Sequence, residues 1–257
     1  MIEHVAYSIA LMLNFWMKTS GTWINVATVL IGTGMGLLLR GRLPLEMQKI
    51  IPQAIGILTL FVGFDMAGSL NQAKGGQIAG VILGLLAIVF GGLLGEWWQV
   101  EKRLEAIGDW LKTKFRGQGK FTEGFVAASL LFCIGPLALI GSLNNGLTGD
   151  NTLLTLKSTM DGLASFALTG GYGIGVGFSI LPVLIYQGGV SLLANSLAQA
   201  IPDPANSAPV LLMTGVGGLM IVGLGLNLLE VAKVRIGSFL PALAIAPIIY
   251  WIADKIS

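Results

Sequence analysis

The sequence predicts an all-α integral membrane protein, a polytopic bundle of seven to eight transmembrane helices with broken or re-entrant segments. Of its 257 residues, 54% are hydrophobic and only 11% are charged, whereas a soluble domain carries about 25% charged residues. Eleven of the charged residues lie between residues 96 and 123, and only three lie between residues 124 and 202. Runs of about 20 mostly apolar residues are long enough to cross a bilayer. These observations exclude a cytosolic enzyme.

The residue counts exclude further classes of protein. The only cysteine, Cys133, cannot form an intrachain disulfide, and with the only histidine, His4, it provides no zinc or haem ligand set. The net charge of +2 is small, and the basic residues lie between apolar stretches, which argues against nucleic-acid binding. We therefore expect no cofactor and no nucleic-acid partner. The expected partners are membrane lipids and a small ion or solute.

The N-terminal residues 1–20 are predicted to form an interfacial helix, followed by a single transmembrane domain over residues 21–257. The apolar stretch from Val5 to Met17 is too short to cross a bilayer, and Trp16 and Lys18 suit the headgroup level.

The apolar runs divide the rest of the chain into eight candidate spans. The run over 182–201 has no polar loop before it and contains Gln187-Gly188-Gly189, so a full crossing and a re-entrant element both remain open. The predicted spans are 21–39, 51–70, 77–98, 122–143, 158–180, 182–201, 209–229 and 235–253.

The basic residues predict the orientation, because Lys and Arg favour cytoplasmic loops. Segments 40–50 and 99–121 are rich in both, which places the N-terminus outside a prokaryotic plasma (inner) membrane. Eight crossings put eleven basic residues inside and four outside, whereas seven put ten inside and five outside. The connector over about 96–121 is predicted to be a cytoplasmic amphipathic helix. It either binds a partner or simply covers helix ends.

Glycine is unusually frequent, with 37 residues, many of them four apart within the spans. Small residues at this spacing let membrane helices pack closely, which favours a tight bundle or a homodimer. The run Gly32–Gly36 resembles Gly173–Gly177 at an offset of 141, so an internal repeat is possible. Interruptions are predicted at Gly135-Pro136 and over Leu181–Gly189. Broken helices often form ion sites, although ordinary proline kinks give the same pattern.

The strongest candidate site lies on the helix predicted to follow Asp150-Asn151. Ser158, Asp161, Ser165 and Thr169 follow one another at helical spacing, and Lys157 precedes Asp161 by four residues. An ionisable side chain inside a membrane indicates a functional site, and a carboxylate there can bind Na⁺ or carry a proton. The alternative is that Asp161 caps a helix that begins near Gly162. The candidate ion- or substrate-binding residues are Asp161, Ser158, Lys157, Asn25, Asn144, Asn145, Gln187 and Asp65.

Several ordered motifs resemble the prokaryotic membrane proteins of the domain-of-unknown-function 554 family (YqgA/YdfK-like). They run from residue 21 to about residue 249, and the resemblance implies a multi-spanning protein for which a Na⁺ channel or pump role has been suggested. The motifs are Gly21-Thr-Trp-Ile-Asn25, Cys133-Ile-Gly-Pro-Leu-Ala-Leu-Ile-Gly-Ser142, Lys157-Ser-Thr-Met-Asp-Gly162, Gly173-Ile-Gly-Val-Gly-Phe-Ser179, Leu184-Ile-Tyr-Gln-Gly188, Gly225-Leu-Asn-Leu-Leu229 and Leu240-Pro-Ala-Leu243.

The sequence therefore favours a secondary transporter or a channel- or pump-like protein for a small ion (Na⁺ or H⁺) or a small solute. The alternative is a membrane scaffold or sensor that partners other membrane proteins. An enzyme is not expected, because the chain has no His-Glu-x-x-His or Gly-x-Ser-x-Gly motif.

Overall fold

The computed structural model describes residues 2–40, 44–194, 196 and 207–256, with the backbone alone at residues 2–11, 45–49 and 136. The prediction of an all-α polytopic bundle is confirmed. A two-stranded antiparallel hairpin, β1 (Lys74–Gly75) and β2 (Ile78–Ala79), joins the second and third helices. The described α-helices are α1 (Ile2–Arg40), α2 (Leu45–Ala67), α3 (Gly80–Trp97), α4 (Val100–Lys114), α5 (Phe121–Cys133), α6 (Pro136–Thr148), α7 (Thr152–Tyr172), α8 (Ile180–Val183), α9 (Gly189–Leu192), α10 (Ala208–Leu228) and α11 (Leu240–Ile256).

Six stretches of the described chain are helical, long and apolar enough to cross a membrane. A seventh is the bent pair α5 and α6, which turns by 61° at the predicted break, Gly135-Pro136. The six stretches are Met12–Arg40, Ile50–Asn71, Gly80–Trp97, Ile174–Leu192, Ala208–Leu228 and Ile236–Ile256.

The fifth and sixth predicted spans, 158–180 and 182–201, have the wrong boundary. The break falls after α7 at Gly173, whose φ of 82° and ψ of −160° suit glycine alone. The next element, which we call the irregular span, runs over Ile174–Leu192. The predicted interruption over Leu181–Gly189 is confirmed as a π-helical turn at Leu184–Gly188 between α8 and α9. Of the predicted span 182–201, residues 195 and 197–201 lie outside the described residues.

Close backbone contacts at glycine fix which helices pair. On α1, Gly21 lies against Leu154 and Gly36 against Thr169, so α1 and α7 run parallel. A Cβ atom on Gly32 would lie only 2.1 Å from the Gly162 carbonyl oxygen, so this position needs glycine. The antiparallel pairs α2–α10 and α3–α11 meet in the same way, with Gly63 against Val222 and Gly91 against Ala242. These spaced glycines pack helices against one another within one chain.

Helix ends from distant parts of the chain meet at one end of the bundle, which we call the basic end. Lys120 pairs with Glu230 at 3.0 Å, and Arg235 pairs with Glu96 at 2.7 Å. The Arg40 guanidinium lies against Gly173. The basic segments of the sequence therefore share one end.

The opposite end, which we call the far end, holds the start of the first span and the end of the last. Gly149 lies near Met17, and Gly75 lies near Tyr250 and Ala253. Chain segments thus alternate between the two ends from α1 to α11.

Residues 2–20 and the first span form one helix, α1. The structure therefore gives no separate N-terminal helix, and a membrane-surface position for residues 1–20 stays a prediction. Likewise, most of the predicted connector is helical as α4, while its cytoplasmic location stays a prediction.

Candidate functional site

A buried polar junction joins α1, α7 and the irregular span. The side chains of Lys157 and Asp161 on α7 form an ion pair one helical turn apart. Asn25 on α1 donates from Nδ2 to Asp161 Oδ2 at 2.9 Å and to Gln187 Oε1 at 2.8 Å. The junction therefore consists of one carboxylate, one ammonium and two amides from three helices.

Burial of its charged and polar groups makes this junction energetically costly. Asn25 is 0% exposed, Gln187 is 1% exposed, and Asp161 and Lys157 are 7% and 6% exposed. Removing two charges from water costs several kcal/mol for each ion, and mutual attraction repays this only when the geometry is good. Because α7 begins at Thr152, the alternative that Asp161 caps a helix start near Gly162 is wrong. Asp161 lies in the interior of α7.

The junction also contains polar atoms without partners among the described residues. Asn25 Oδ1, Gln187 Nε2 and Thr22 Oγ1 are fully buried and make no hydrogen bond. Buried polar groups are nearly always paired with protein or with water. The free oxygens of Asn25 and Thr22 are ligands of the kind that hard cations prefer.

A line of buried hydroxyls continues from the junction toward the basic end. On α7, Ser165 and Thr169 follow Asp161 at four-residue spacing, and both hydroxyls lack a partner. Thr33 of α1 packs against Gly177 of the irregular span, and its hydroxyl and that of Ser179 are also unpaired. Each of these hydroxyls can hydrogen-bond a water molecule or a hydrated ion.

The hydroxyl line ends at Tyr172, which lines an open cavity of about 830 Å³ at the basic end. The Lys120–Glu230 pair lies at this cavity, and its hydrogen bond raises the pKa of the Lys120 ammonium. The cavity has an apolar floor and a rim of both charges. Its charged lining residues are Glu101, Glu105, Lys120, Glu123, Glu230, Lys233 and Arg235.

The structure brings four of the eight predicted site residues into the junction: Asn25, Lys157, Asp161 and Gln187. Ser158 adjoins them but donates to the Leu154 carbonyl oxygen at 2.6 Å within its own helix. Asn144 is half-buried on α6, and Asp65 is exposed in the last turn of α2, so neither belongs to the junction.

Asn145, the remaining predicted residue, holds helices together at the far end. Its Oδ1 accepts from the Gly21 amide at 3.1 Å, and its Nδ2 donates to the Met17 carbonyl at 3.0 Å. The Gly21 amide and the Met17 carbonyl are the donor and acceptor of one rung of the backbone hydrogen-bond ladder of an α-helix. Side chains that insert into this ladder bend helices. Asn145 thus binds α1 one turn before Asn25.

Sequence reasoning missed Thr22 at the junction, and Thr33 and Ser179 in the hydroxyl line. The spacing of Thr22, Asn25 and Thr33 on one face of α1 was the available signal. Ser179 lies in a 3₁₀ turn, Ile174–Ser179, where helical spacing gives no signal.

Outside the junction, Asp150 binds the start of α7. Its Oδ1 accepts from the Thr152 amide at 2.9 Å and from the Thr152 hydroxyl at 2.6 Å. The hydrogen bond from this hydroxyl lowers the pKa of the exposed Asp150 carboxyl. The predicted capping of the helix by Asp150 or Asn151 thus takes the form of a hydrogen bond that the Thr152 amide donates to Asp150.

Comparison with known proteins identifies relatives along nearly the whole chain. Residues 20–251 match the family model described as protein of unknown function DUF554. The chain is 30% identical to the uncharacterized membrane protein YdfK of Bacillus subtilis (strain 168) over 233 residues, 90% of this chain and 96% of YdfK. It is 28% identical to the uncharacterized protein YqgA of Escherichia coli (strain K12), over 88% of this chain and 94% of YqgA. No solved structure matches. On this evidence, the chain is a multi-pass membrane protein that belongs to the DUF554 family.

Proposed function

We propose that this chain is a secondary transporter of a small cation, Na⁺ or H⁺, and that the polar junction is its ion site. The observation that supports this most is the buried Lys157–Asp161 pair beside unpaired polar atoms of Asn25 and Gln187. A structural ion pair would have its surrounding polar groups satisfied. Here the amide of Asn25 that donates to the carboxylate keeps an unpaired oxygen, Oδ1.

The chemistry of the junction suits a cation that takes the place of the Lys157 ammonium beside the Asp161 carboxylate. Asp161 supplies the negative charge, while Asn25 Oδ1 and Thr22 Oγ1 supply neutral oxygens. Lys157 neutralises the carboxylate when no ion is bound, so the empty site is not left with an uncompensated charge in a low-dielectric interior. For H⁺, the same carboxylate serves as the carrier.

The hydroxyl line gives this ion a path to one side of the membrane. The unpaired hydroxyls of Ser165 and Thr169 lead from Asp161 toward Tyr172 and the open cavity. The π-helical turn at Leu184–Gly188 carries Gln187, and π-bulges occur frequently at functional sites.

We further propose an orientation with the N-terminus outside and the basic end in the cytoplasm of a prokaryotic inner membrane. Contacts between Arg40 and Gly173 and between Lys120 and Glu230 bring the basic segments to one end, in agreement with the preference of Lys and Arg for the cytoplasm. The alternation of chain segments between the two ends then corresponds to eight crossings, with α7 as one of them. A cysteine introduced at exposed Gln118, with Cys133 replaced by serine, should react with an impermeant maleimide only from the cytoplasmic side. Labelling of this cysteine in intact cells would show that the orientation is the reverse of the one proposed.

The test of transport is a flux assay in proteoliposomes with Na⁺ and H⁺ gradients. Asp161→Asn keeps the shape of the side chain but removes its charge, so we expect ion movement to fall to the level of protein-free vesicles. Asp65→Asn is the matched control, because it makes the same change at an exposed position outside the junction. Full flux through a stable Asp161→Asn protein would exclude this site.

The second candidate function is a scaffold or sensor that binds other membrane proteins, and the charged surface of α4 favours it. A protein of this kind would show no flux with any ion, although its fold and its junction would be unchanged. Self-association as a homodimer stays a prediction, which the mass of the protein in nanodiscs tests. We propose no enzymatic activity.

A further inference from the structure

The helix α4 presents two different faces. Gly108 and Leu111 are buried, and Gly108 lies against Thr122 and Phe125 of α5. A second face, beside the buried one, is exposed, with Ile107 48% and Trp110 57% exposed. This second face has no covering element within the part of the chain that the structure describes.

The exposed face combines cations with apolar side chains. Arg103, Ile107, Trp110 and Lys114 follow at spacings of four, three and four, so they form one stripe along the helix. All four are exposed. The Lys114 ammonium lies 4.6 Å from the centre of the Trp110 ring, a cation–π contact. We call these four residues the outer stripe.

The acidic residues of α4 have their contacts elsewhere, and Asp109 accepts a hydrogen bond from the α5 side chain Thr122 at 2.6 Å. Glu101 and Glu105 line the cavity at the basic end, and Glu101 accepts a hydrogen bond from the Gly237 amide. Neither Arg103 nor Lys114 forms an ion pair with any residue that the structure describes. The outer stripe therefore presents uncompensated positive charge beside exposed apolar surface.

The position of α4 places this stripe at the membrane boundary. It begins at Val100, directly after the candidate span α3 ends at Trp97. Trp97 and Trp98 are 78% and 50% exposed, and tryptophan is enriched at the level of the lipid headgroups. An amphipathic helix of this kind lies in the interface with its apolar side chains among the acyl chains and its cations at the headgroups.

From this charge complementarity we infer that the outer stripe of α4 binds the headgroups of anionic phospholipids. The aromatic and aliphatic side chains enter the interface, and the two cations bind the phosphate groups and the net negative charge. Each Lys or Arg near an anionic surface strengthens such binding about fivefold. Two cations therefore give an anionic lipid roughly a twenty-five-fold advantage over a zwitterionic lipid at this surface. This inference is independent of the proposed transport, because it concerns a surface outside the junction.

The test measures the lipid beside Trp110 in nanodiscs of mixed phosphatidylglycerol and phosphatidylcholine. In one preparation only the phosphatidylglycerol chains are brominated, and in the other only the phosphatidylcholine chains are. Bromine quenches tryptophan on contact, and the difference between wild type and Trp110→Phe isolates the signal of this residue. We expect stronger quenching by brominated phosphatidylglycerol at equal mole fraction.

The variant Arg103→Gln/Lys114→Gln should abolish this preference while Trp110 stays in contact with lipid. Its matched control is Lys74→Gln/Lys255→Gln, which removes the same charge at exposed far-end residues and should keep the preference. Equal quenching by the two lipids in the wild type would overturn the inference, since α4 would then lie in the interface without selecting headgroups. Absence of quenching would also overturn it, because the stripe would then face water or a protein partner.

Discussion

Replacing Asp161 by leucine removes half of the buried ion pair and leaves the Lys157 ammonium without its carboxylate. Loss of one partner of a buried pair costs about 3–5 kcal/mol. One hydrogen of Asn25 Nδ2 also loses its acceptor, while the other keeps Gln187 Oε1. An unpaired buried donor costs about 1–3 kcal/mol. We therefore expect Asp161→Leu to destabilise the fold by at least about 4 kcal/mol.

The double variant Lys157→Met/Asp161→Leu should recover most of that loss. It replaces both charges by apolar side chains of similar length, a change that is often neutral or stabilising by about 1–4 kcal/mol. Only the unpaired hydrogen of Asn25 then remains as a cost. We expect the double variant to lie within about 2 kcal/mol of the wild type, although it lacks every charge at the junction.

The measurement is the unfolding midpoint in mixed micelles of increasing dodecyl sulfate, followed by flux in proteoliposomes. A stable double variant without ion flux would separate the two roles of the pair, because stability would return while transport would not. A double variant as unstable as Asp161→Leu would refute the reasoning that the two charges compensate each other inside the bundle.

Two further predictions concern residues outside the ion pair. Asn145→Ala leaves the Gly21 amide and the Met17 carbonyl without their side-chain partner and should lower the free energy of unfolding by about 1–3 kcal/mol. Asn144→Ala is the control and should change the unfolding midpoint little. Equal effects of the two variants would contradict the role of Asn145 in holding the helices together. Burial raises the pKa of Glu101 above its ordinary 4.5, so its contribution to stability is full below 4.5 and is lost as the pH rises through the folded-state pKa. Glu101→Gln keeps an acceptor for the neighbouring amide and should weaken the fall in unfolding midpoint across that window. An unchanged pH profile would assign the fall to other groups.

The sequence predicts the bundle and half of the site because both depend on local patterns. Apolar runs of span length give the candidate spans, and the spacing of Asp161, Ser165 and Thr169 identifies the polar face of α7. Gln187 is conspicuous as an amide within an apolar run. Each of these signals lies within one helix, where the periodicity of 3.6 residues determines which side chains share a face.

The contacts between helices could not be predicted in the same way. Asn145 binds α1 across 124 residues of sequence, and no local pattern distinguishes it from its neighbour Asn144. The break at Gly173 was equally hidden, because one glycine among 37 carries no sign that its φ is positive. The pairing of α1 with α7 depends on the close approach of Gly32 to the Gly162 carbonyl, a property of two surfaces together.

The helix that carries the ion pair, α7, is less apolar than the six candidate spans. α7 has 21 residues, enough for a crossing of about 30 Å, yet it is not among the six apolar stretches of the described chain. Its exposed side chains include Leu156, Met160 and Leu163, whereas Lys157 and Asp161 are buried. This arrangement is the reverse of a soluble helix and suits a helix with lipid on one side and an ion site on the other. The polar residues that lower the mean hydropathy of α7 are therefore the ones on which the proposed function rests.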